Sequence, residues 1–118
     1  MLFNLLCNEF PTMEIIANDR KALDGFELDI FLPQIKLGIE WNGIVHFKPI
    51  FGEAKLNKIQ TRDEQKQQIA IKNGINLIVV PDLVSKEKYV KEAFQQIAKV
   101  VKNLVGVDRL RDDQLSVP

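Results

Sequence analysis

Cysteine is nearly absent from this chain of 118 residues: Cys7 is the only one. A single cysteine excludes a disulfide within the chain and any zinc site built on cysteines. Cys7 lies in an apolar run and reads as a buried thiol. No hydrophobic stretch approaches the length of a membrane span. The apolar start, Met1-Leu2-Phe3-Asn4-Leu5-Leu6-Cys7, lacks a positively charged leader and a small-residue cleavage site, so it does not read as a signal peptide. An intracellular, cytoplasmic setting is expected. There is no internal repeat, no low-complexity segment, and no visible sequence-reading module such as a zinc finger. Net charge is also missing, with 16 basic and 16 acidic residues.

The charge is unevenly spread. Residues 1–47 hold 3 basic and 7 acidic groups, whereas residues 48–107 hold 11 basic and 6 acidic. An acidic segment followed by a lysine-rich one suits a metal ion plus a polyanion, although single lysines on helices are usually solvated. Apolar residues make up 46% of the chain, enough for one compact core. One domain over residues 1–107 is expected, with 108–118 a flexible tail.

Local signals give an order of elements. Pro11-Thr12 opens a short helix over about Thr12–Asn18, with Thr12 as its cap. Asp24-Gly25 is a turn that launches two strands. Pro49 and Gly52 break the stretch after Gly43 into a strand end and a loop. Thr61-Arg62-Asp63-Glu64 has the form of a capping box, which predicts a helix from Thr61 to about Asn73, stopped by Gly74. Asn76-Leu77-Ile78-Val79-Val80-Pro81 is an unbroken apolar strand, buried on both faces. Ser85 caps a long helix whose stripe is Val90, Phe94, Ile97, Ala98, Val101, Leu104 and Val105. The expected fold class is α/β: a small mixed sheet, an antiparallel hairpin plus a parallel strand, flanked by helices. The helix before the last strand is long enough for a parallel crossover.

The two hairpin strands carry the most information. Phe26–Leu32 and Leu37–Gly43 both alternate, and Pro33-Gln34-Ile35-Lys36 joins them. With Leu32 opposite Leu37, Ile30 meets Ile39 and Leu28 meets Trp41 on one side. Asp29 then falls opposite Glu40 on the other. A slip of one residue would set Leu28, Ile30 and Leu32 against Glu40, Gly38 and Lys36, so the apolar pattern selects the first register. Directly opposed like charges are destabilising. A divalent cation is the natural offset, since Mg²⁺ binds through one or two carboxylates plus phosphate oxygens.

Asp29 on one strand, then Glu40-Trp41-Asn42 on the next, resembles the acidic signature of the PD-(D/E)XK nuclease superfamily. The nearer likeness is to its very-short-patch-repair-like branch, which includes homing endonucleases of phages and introns. Glu27–Pro33, Leu37–Gly43 and His46 carry that likeness, with Asn18-Asp19-Arg20 upstream. Downstream, Asp63-Glu64-Gln65-Lys66 and Gly74–Ile78 also fit. The likeness spans roughly residues 11–82 and implies a restriction-endonuclease-like core.

The resemblance implies roles. Asp29 and Glu40 match the metal-binding acids, and the backbone carbonyl of Trp41 adds a ligand. Glu14 matches an acid supplied from the first helix. His46 matches a histidine that serves as base or holds water. The superfamily pattern wants lysine two residues after the acid, where this chain has Asn42. An amide brings no positive charge, so Lys66 or His46 fills that role, or the enzyme is slow or inactive. Arg20, Lys55, Lys58 and Arg62 are candidates for phosphate contacts on double-stranded DNA. The expected activity is DNA cleavage assisted by Mg²⁺ or Mn²⁺. A nicking or structure-specific nuclease of the same fold is the first alternative. A catalytically inactive relative that binds nucleic acid or protein is the second. Apolar residues near either terminus suit a homodimer.

Overall fold

The computed structural model describes the backbone of residues 1–82 and 87–115, with side chains through residue 106. The elements are helix α1 (Leu2–Glu9), strands β1 (Ile16–Leu23), β2 (Phe26–Leu32) and β3 (Leu37–Gly43), helix α2 (Glu53–Lys72), strand β4 (Asn76–Asp82) and helix α3 (Glu87–Leu115). Single 3₁₀ turns, Pro33–Ile35 and Ile44–His46, follow β2 and β3. The four strands form one sheet in the order β1-β2-β3-β4. The first three are antiparallel neighbours, and β4 runs parallel to β3. This is the mixed α/β sheet that the sequence pattern implies.

The turns explain the strands. Asp24 (φ 52°) and Gly25 (φ 103°) both adopt positive φ between Leu23 and Phe26, which pair. That is the two-residue hairpin connection that right-twisted strands favour. Pro33 opens the second turn and Lys36 closes it in the left-handed region. Over Ile30–Leu32 the β2–β3 register is the one expected, with Leu32 paired to Leu37 and Ile30 to Ile39; the ladder stops there, and the expected Asp29–Glu40 and Leu28–Trp41 pairs do not form.

The sheet has two unlike faces. Leu2 and Leu6 of α1 and Ile97 and Val101 of α3 pack against Ile30, Leu32, Leu37 and Ile39. Behind the sheet, Ala70 of α2 and Ile75 pack against Leu23 and Leu28. Leu28 therefore does not share a face with Trp41, which packs on the α1/α3 side. Strand β2 changes face around Asp29, whose carboxylate accepts the Trp41 N–H (2.7 Å) in place of a backbone carbonyl. Gly38 makes room for this: a Cβ there would stand 2.9 Å from Leu28 Cδ2.

Three local expectations are corrected. The segment Thr12–Asn18 is not a helix; Ile16 onward is β1, and the helix lies earlier, at Leu2–Glu9. Polar residues mask the strand alternation in β1, and α1 has no side-chain cap to announce it. Helix α2 starts at Glu53 rather than Thr61, with Gly52 (φ 97°) before it. Thr61 is internal and its Oγ1 donates to Asn57 O (2.8 Å), a bond that lets threonine sit inside a helix. Helix α3 continues to Leu115, into the segment expected as a tail. The Ser85 cap lies outside the described residues.

Candidate active site

Period-two alternation decides what β3 presents. Leu37, Ile39 and Trp41 join the core beneath α3, so Gly38, Glu40 and Asn42 face α2. Glu40 is only 5% exposed and Asn42 6%. A buried carboxylate is costly unless it is paired. The partner comes from α2: Lys66 Nζ lies 3.2 Å from Glu40 Oε1 and also donates to Glu27 O at 2.8 Å.

Helix α2 reaches the sheet through residues three or four apart. Leu56, Ile59, Asp63, Lys66, Ile69 and Ala70 are its shielded positions. This stripe is apolar at both ends and charged in the middle. Asp63 and Lys66 are i, i+3 neighbours and point to the same side. Asp63 Oδ2 lies 2.7 Å from Nδ1 of His46, which the 3₁₀ turn places just past β3. Both side chains are about a quarter exposed. A neutral imidazole that donates from Nδ1 to a carboxylate keeps its lone pair on Nε2.

Burial is the main force raising the Glu40 carboxyl above its ordinary value. Lys66 opposes that shift by charge and by hydrogen bond, while the negative charges of Asp29 and Asp63 add to it. Three carboxylates thus share one field with a single lysine. Asp29 and Glu40 interact through this field, and Asp29 is tied to the residue that follows Glu40 through the Trp41 N–H. Asp29 borders a groove of about 460 Å³ on the α1/α3 side, with Trp41 and Asp82 among its walls, whereas Glu40 faces α2.

Carboxylate and carbonyl oxygens are the donors that a hard divalent cation takes. Each acid commits one oxygen to a named contact, Asp29 Oδ2 to Trp41 N–H and Glu40 Oε1 to Lys66. In an extended strand the N–H and C=O of one residue point to the same edge, so the Trp41 carbonyl lies on the side that Asp29 occupies. Among the described residues no group of three or more Asp, Glu, His and Cys side chains is placed to hold a metal alone. A cation here would draw on the Trp41 carbonyl and on substrate oxygens as well.

The expected residues therefore divide. Asp29, Glu40, Trp41, Asn42, His46 and Lys66 gather around the C-terminal half of β3, with Glu40 on Lys66 and His46 on Asp63 at its α2 side and Asp29 and Trp41 bordering the α1/α3 groove. Glu14 does not join them. It is exposed, in the irregular segment before β1, and its N–H donates to Gln34 Oε1 (3.1 Å) at the opposite end of the hairpin. Arg20 sits on β1, ion-paired with Glu27 (3.0 Å). Lys55, Lys58 and Arg62 are exposed on α2. Asp63 is the site residue that sequence reasoning missed. Its only signal was its position three residues before Lys66, because its bond to His46 spans 17 residues.

Comparison with known proteins adds two viral relatives. The chain is 41% identical over 70 residues to uncharacterized protein 307L of Invertebrate iridescent virus 6, covering 56% of this chain and 36% of that protein. It is 43% identical over 63 residues to uncharacterized protein 033L of Invertebrate iridescent virus 3, covering 49% of this chain and 32% of that protein. The chain thus spans about a third of the length of these relatives. No family model and no solved structure matches. Among the described residues, no helix is long and apolar enough to cross a membrane.

Proposed function

We propose that this chain is a metal-dependent DNA endonuclease domain of the PD-(D/E)XK type, acting inside a host cell of a virus or mobile element. One observation carries the reading: Lys66 of α2 delivers a cation to Glu40, on the very strand where Asn42 stands in place of the motif lysine. The similarity to iridescent virus proteins supports the setting.

Asp29, Glu40 and the Trp41 carbonyl would hold Mg²⁺ or Mn²⁺, which when bound supplies Lewis acidity toward a phosphate oxygen. Lys66 brings positive charge to the scissile phosphate from a buried position, where charge acts more strongly than in water. His46 takes a proton from the attacking water at Nε2, and Asp63 keeps the ring in the required tautomer. Lys55, Lys58 and Arg62 hold the backbone of double-stranded DNA. The exposed Ile44, Phe47, Ile50 and Phe51, just past β3, add an apolar surface beside the site.

Supercoiled plasmid incubated with Mg²⁺ or Mn²⁺ tests this. The parent should produce nicked or linear product, and Glu40→Ala should lower the rate by about 10²-fold or more. A parent that cuts nothing with either ion, or a Glu40→Ala variant that cuts as the parent does, overturns the proposal. The rival reading, binding without cleavage, rests on Asn42. It requires that DNA be retained by the parent and by Glu40→Ala alike, with no product from either.

A further inference from the structure

The two edges of the sheet are treated differently. Strand β1 is blunted: its pairing shifts register between Asp19 and Leu23, Asn18 has φ 53°, and Asp19 Oδ2 takes up the N–H groups of Lys21 and Ala22. Asp19, Arg20 and Lys21 add charge. Bulges and charges are the devices that keep an edge from pairing with another chain. Strand β4 has neither over Asn76–Val80, which are all uncharged, and it pairs with β3 without a register shift.

The open groups on β4 can be named. Asn76 N–H donates to Lys36 O on the β3 side (2.8 Å), so residues 76, 78 and 80 direct their backbone groups inward. Residues 77, 79 and 81 direct theirs outward. Pro81 has no N–H, and its carbonyl accepts from the Tyr89 hydroxyl (2.6 Å). The open window is therefore the N–H and C=O of Leu77 and Val79, for which no other described residue supplies a partner.

We propose that two copies of this chain join through this window, β4 against β4, antiparallel about Ile78. Residues two apart on one strand meet residues two apart on the other in an antiparallel ladder. With the two-fold axis at Ile78, Leu77 of each copy lies opposite Val79 of the other, and each pair exchanges two hydrogen bonds. All eight open groups are satisfied and none is left over. Asn76–Val80 bring no charge to the seam, and Glu92 of α3 lines the groove beside it. Pro81 and Tyr89 end the window on one side, which limits pairing to this register. Ile78 of the second copy lands on the α3 side, beside a groove of about 440 Å³ lined by Ile78, Val80, Tyr89, Ala93 and Ile97. The product is one continuous sheet of eight strands. A homodimer was expected through the chain termini; the open edge assigns it to β4 instead.

Sedimentation equilibrium of the full chain, with crosslinking, tests the pairing. The parent should sediment at twice 13.5 kDa. Val79→Pro removes an outward N–H at an edge position, where proline is tolerated, and should return the mass to that of one chain with an unchanged circular dichroism spectrum. Ile78→Cys provides a check that does not depend on that variant folding. Directly opposed, non-hydrogen-bonded residues have Cα atoms about 4.5 Å apart, within disulfide range. Oxidised Ile78→Cys should therefore run as a covalent dimer, while Asn76→Cys and the parent, with only Cys7, should not. A monomeric parent, a dimer that survives in folded Val79→Pro, or equal crosslinking of Ile78→Cys and Asn76→Cys overturns the proposal. These readouts involve no DNA, so they stand or fall apart from the nuclease reading.

Discussion

On one face of the sheet Leu37, Ile39 and Trp41 meet α1 and α3; on the other, Gly38, Glu40 and Asn42 from the same strand meet α2. Six consecutive residues thus serve two purposes. Among the described residues the α1/α3 side holds ten buried ones, all aliphatic. Among the described residues the α2 side has four buried apolar ones, Leu23, Leu28, Ala70 and Ile75. Beside them the interface holds Glu40, Lys66, Asp63 and His46. Apolar burial stabilises in proportion to area. Buried ion pairs contribute little net stability, because desolvation consumes most of the Coulombic gain. The first face holds the fold together, and the second holds charges in place.

The sharpest way to break this comparison is to weaken each face in turn. Leu37→Ala empties a fully buried position on the α1/α3 side and should cost about 2–5 kcal/mol in denaturant unfolding. Activity per folded molecule should be unchanged. If Leu37→Ala costs under about 1 kcal/mol, the α1/α3 face is not the principal core.

Lys66→Met is the matching change on the α2 side. It leaves Glu40 Oε1 and the Glu27 carbonyl without their donor. The expected cost near neutral pH is about 2 kcal/mol, below a fully buried case because Glu40 can take up a proton. Cleavage should fall far more than stability. The pH profile of Glu40→Gln sharpens the point. Burial raises the Glu40 carboxyl above its ordinary value of 4.5, so the folded state binds a proton more readily than the unfolded state. That contribution is fully present below 4.5 and is lost as pH rises through the folded value. Glu40→Gln should therefore gain stability relative to the parent as pH climbs out of the acid range. A stability difference that is flat with pH would mean that Glu40 is no more buried than a surface acid.

The same contrast explains what the sequence disclosed. Hairpin register was legible because Leu32, Leu37, Ile30 and Ile39 all lie on the apolar face, where a slip would expose them. The Asp24-Gly25 turn and the span of β4 were legible for similar local reasons, but β4 is a half-buried edge strand rather than one buried on both faces. Leu28 was misassigned because its change of face depends on Asp29 capping the Trp41 N–H and on the missing side chain of Gly38, neither of which has a periodic signature. Helix α2 was shortened because Gly52 and Thr61 gave competing start signals. With its first turns read as loop, Asp63 looked like an acid of the helix's first turn rather than the partner of His46. Asp29, Glu40 and Lys66 could be named from the resemblance; the contact between Glu40 and Lys66 needed the helix docked.

Gly38→Ala tests the change of face itself. The added Cβ meets Leu28 Cδ2 at 2.9 Å and Leu77 Cδ1 at 3.3 Å, both ends of flexible side chains. The cost should be about 1 kcal/mol, and combining it with Leu28→Ala should give less than the sum of the two single changes. Strict additivity would show that Leu28 does not pack over Gly38.

The smallest expected effect on stability is that of Arg20→Ala. Its ion pair with Glu27 is largely exposed, at 69% and 41% for the two side chains. Exposed pairs are screened and lose side-chain entropy, so the change should stay within about 0.5 kcal/mol. DNA binding gives the more informative readout. If Arg20 neutralises one phosphate, the slope of log affinity against log salt should flatten by about one unit, equally for all sequences. Arg20 lies on β1, with β2 between it and the strand that carries Glu40, so a flattened slope would extend the DNA footprint across the hairpin. An unchanged slope would confine it to α2, where Lys55, Lys58 and Arg62 line the outside of the helix whose inner side carries Asp63 and Lys66.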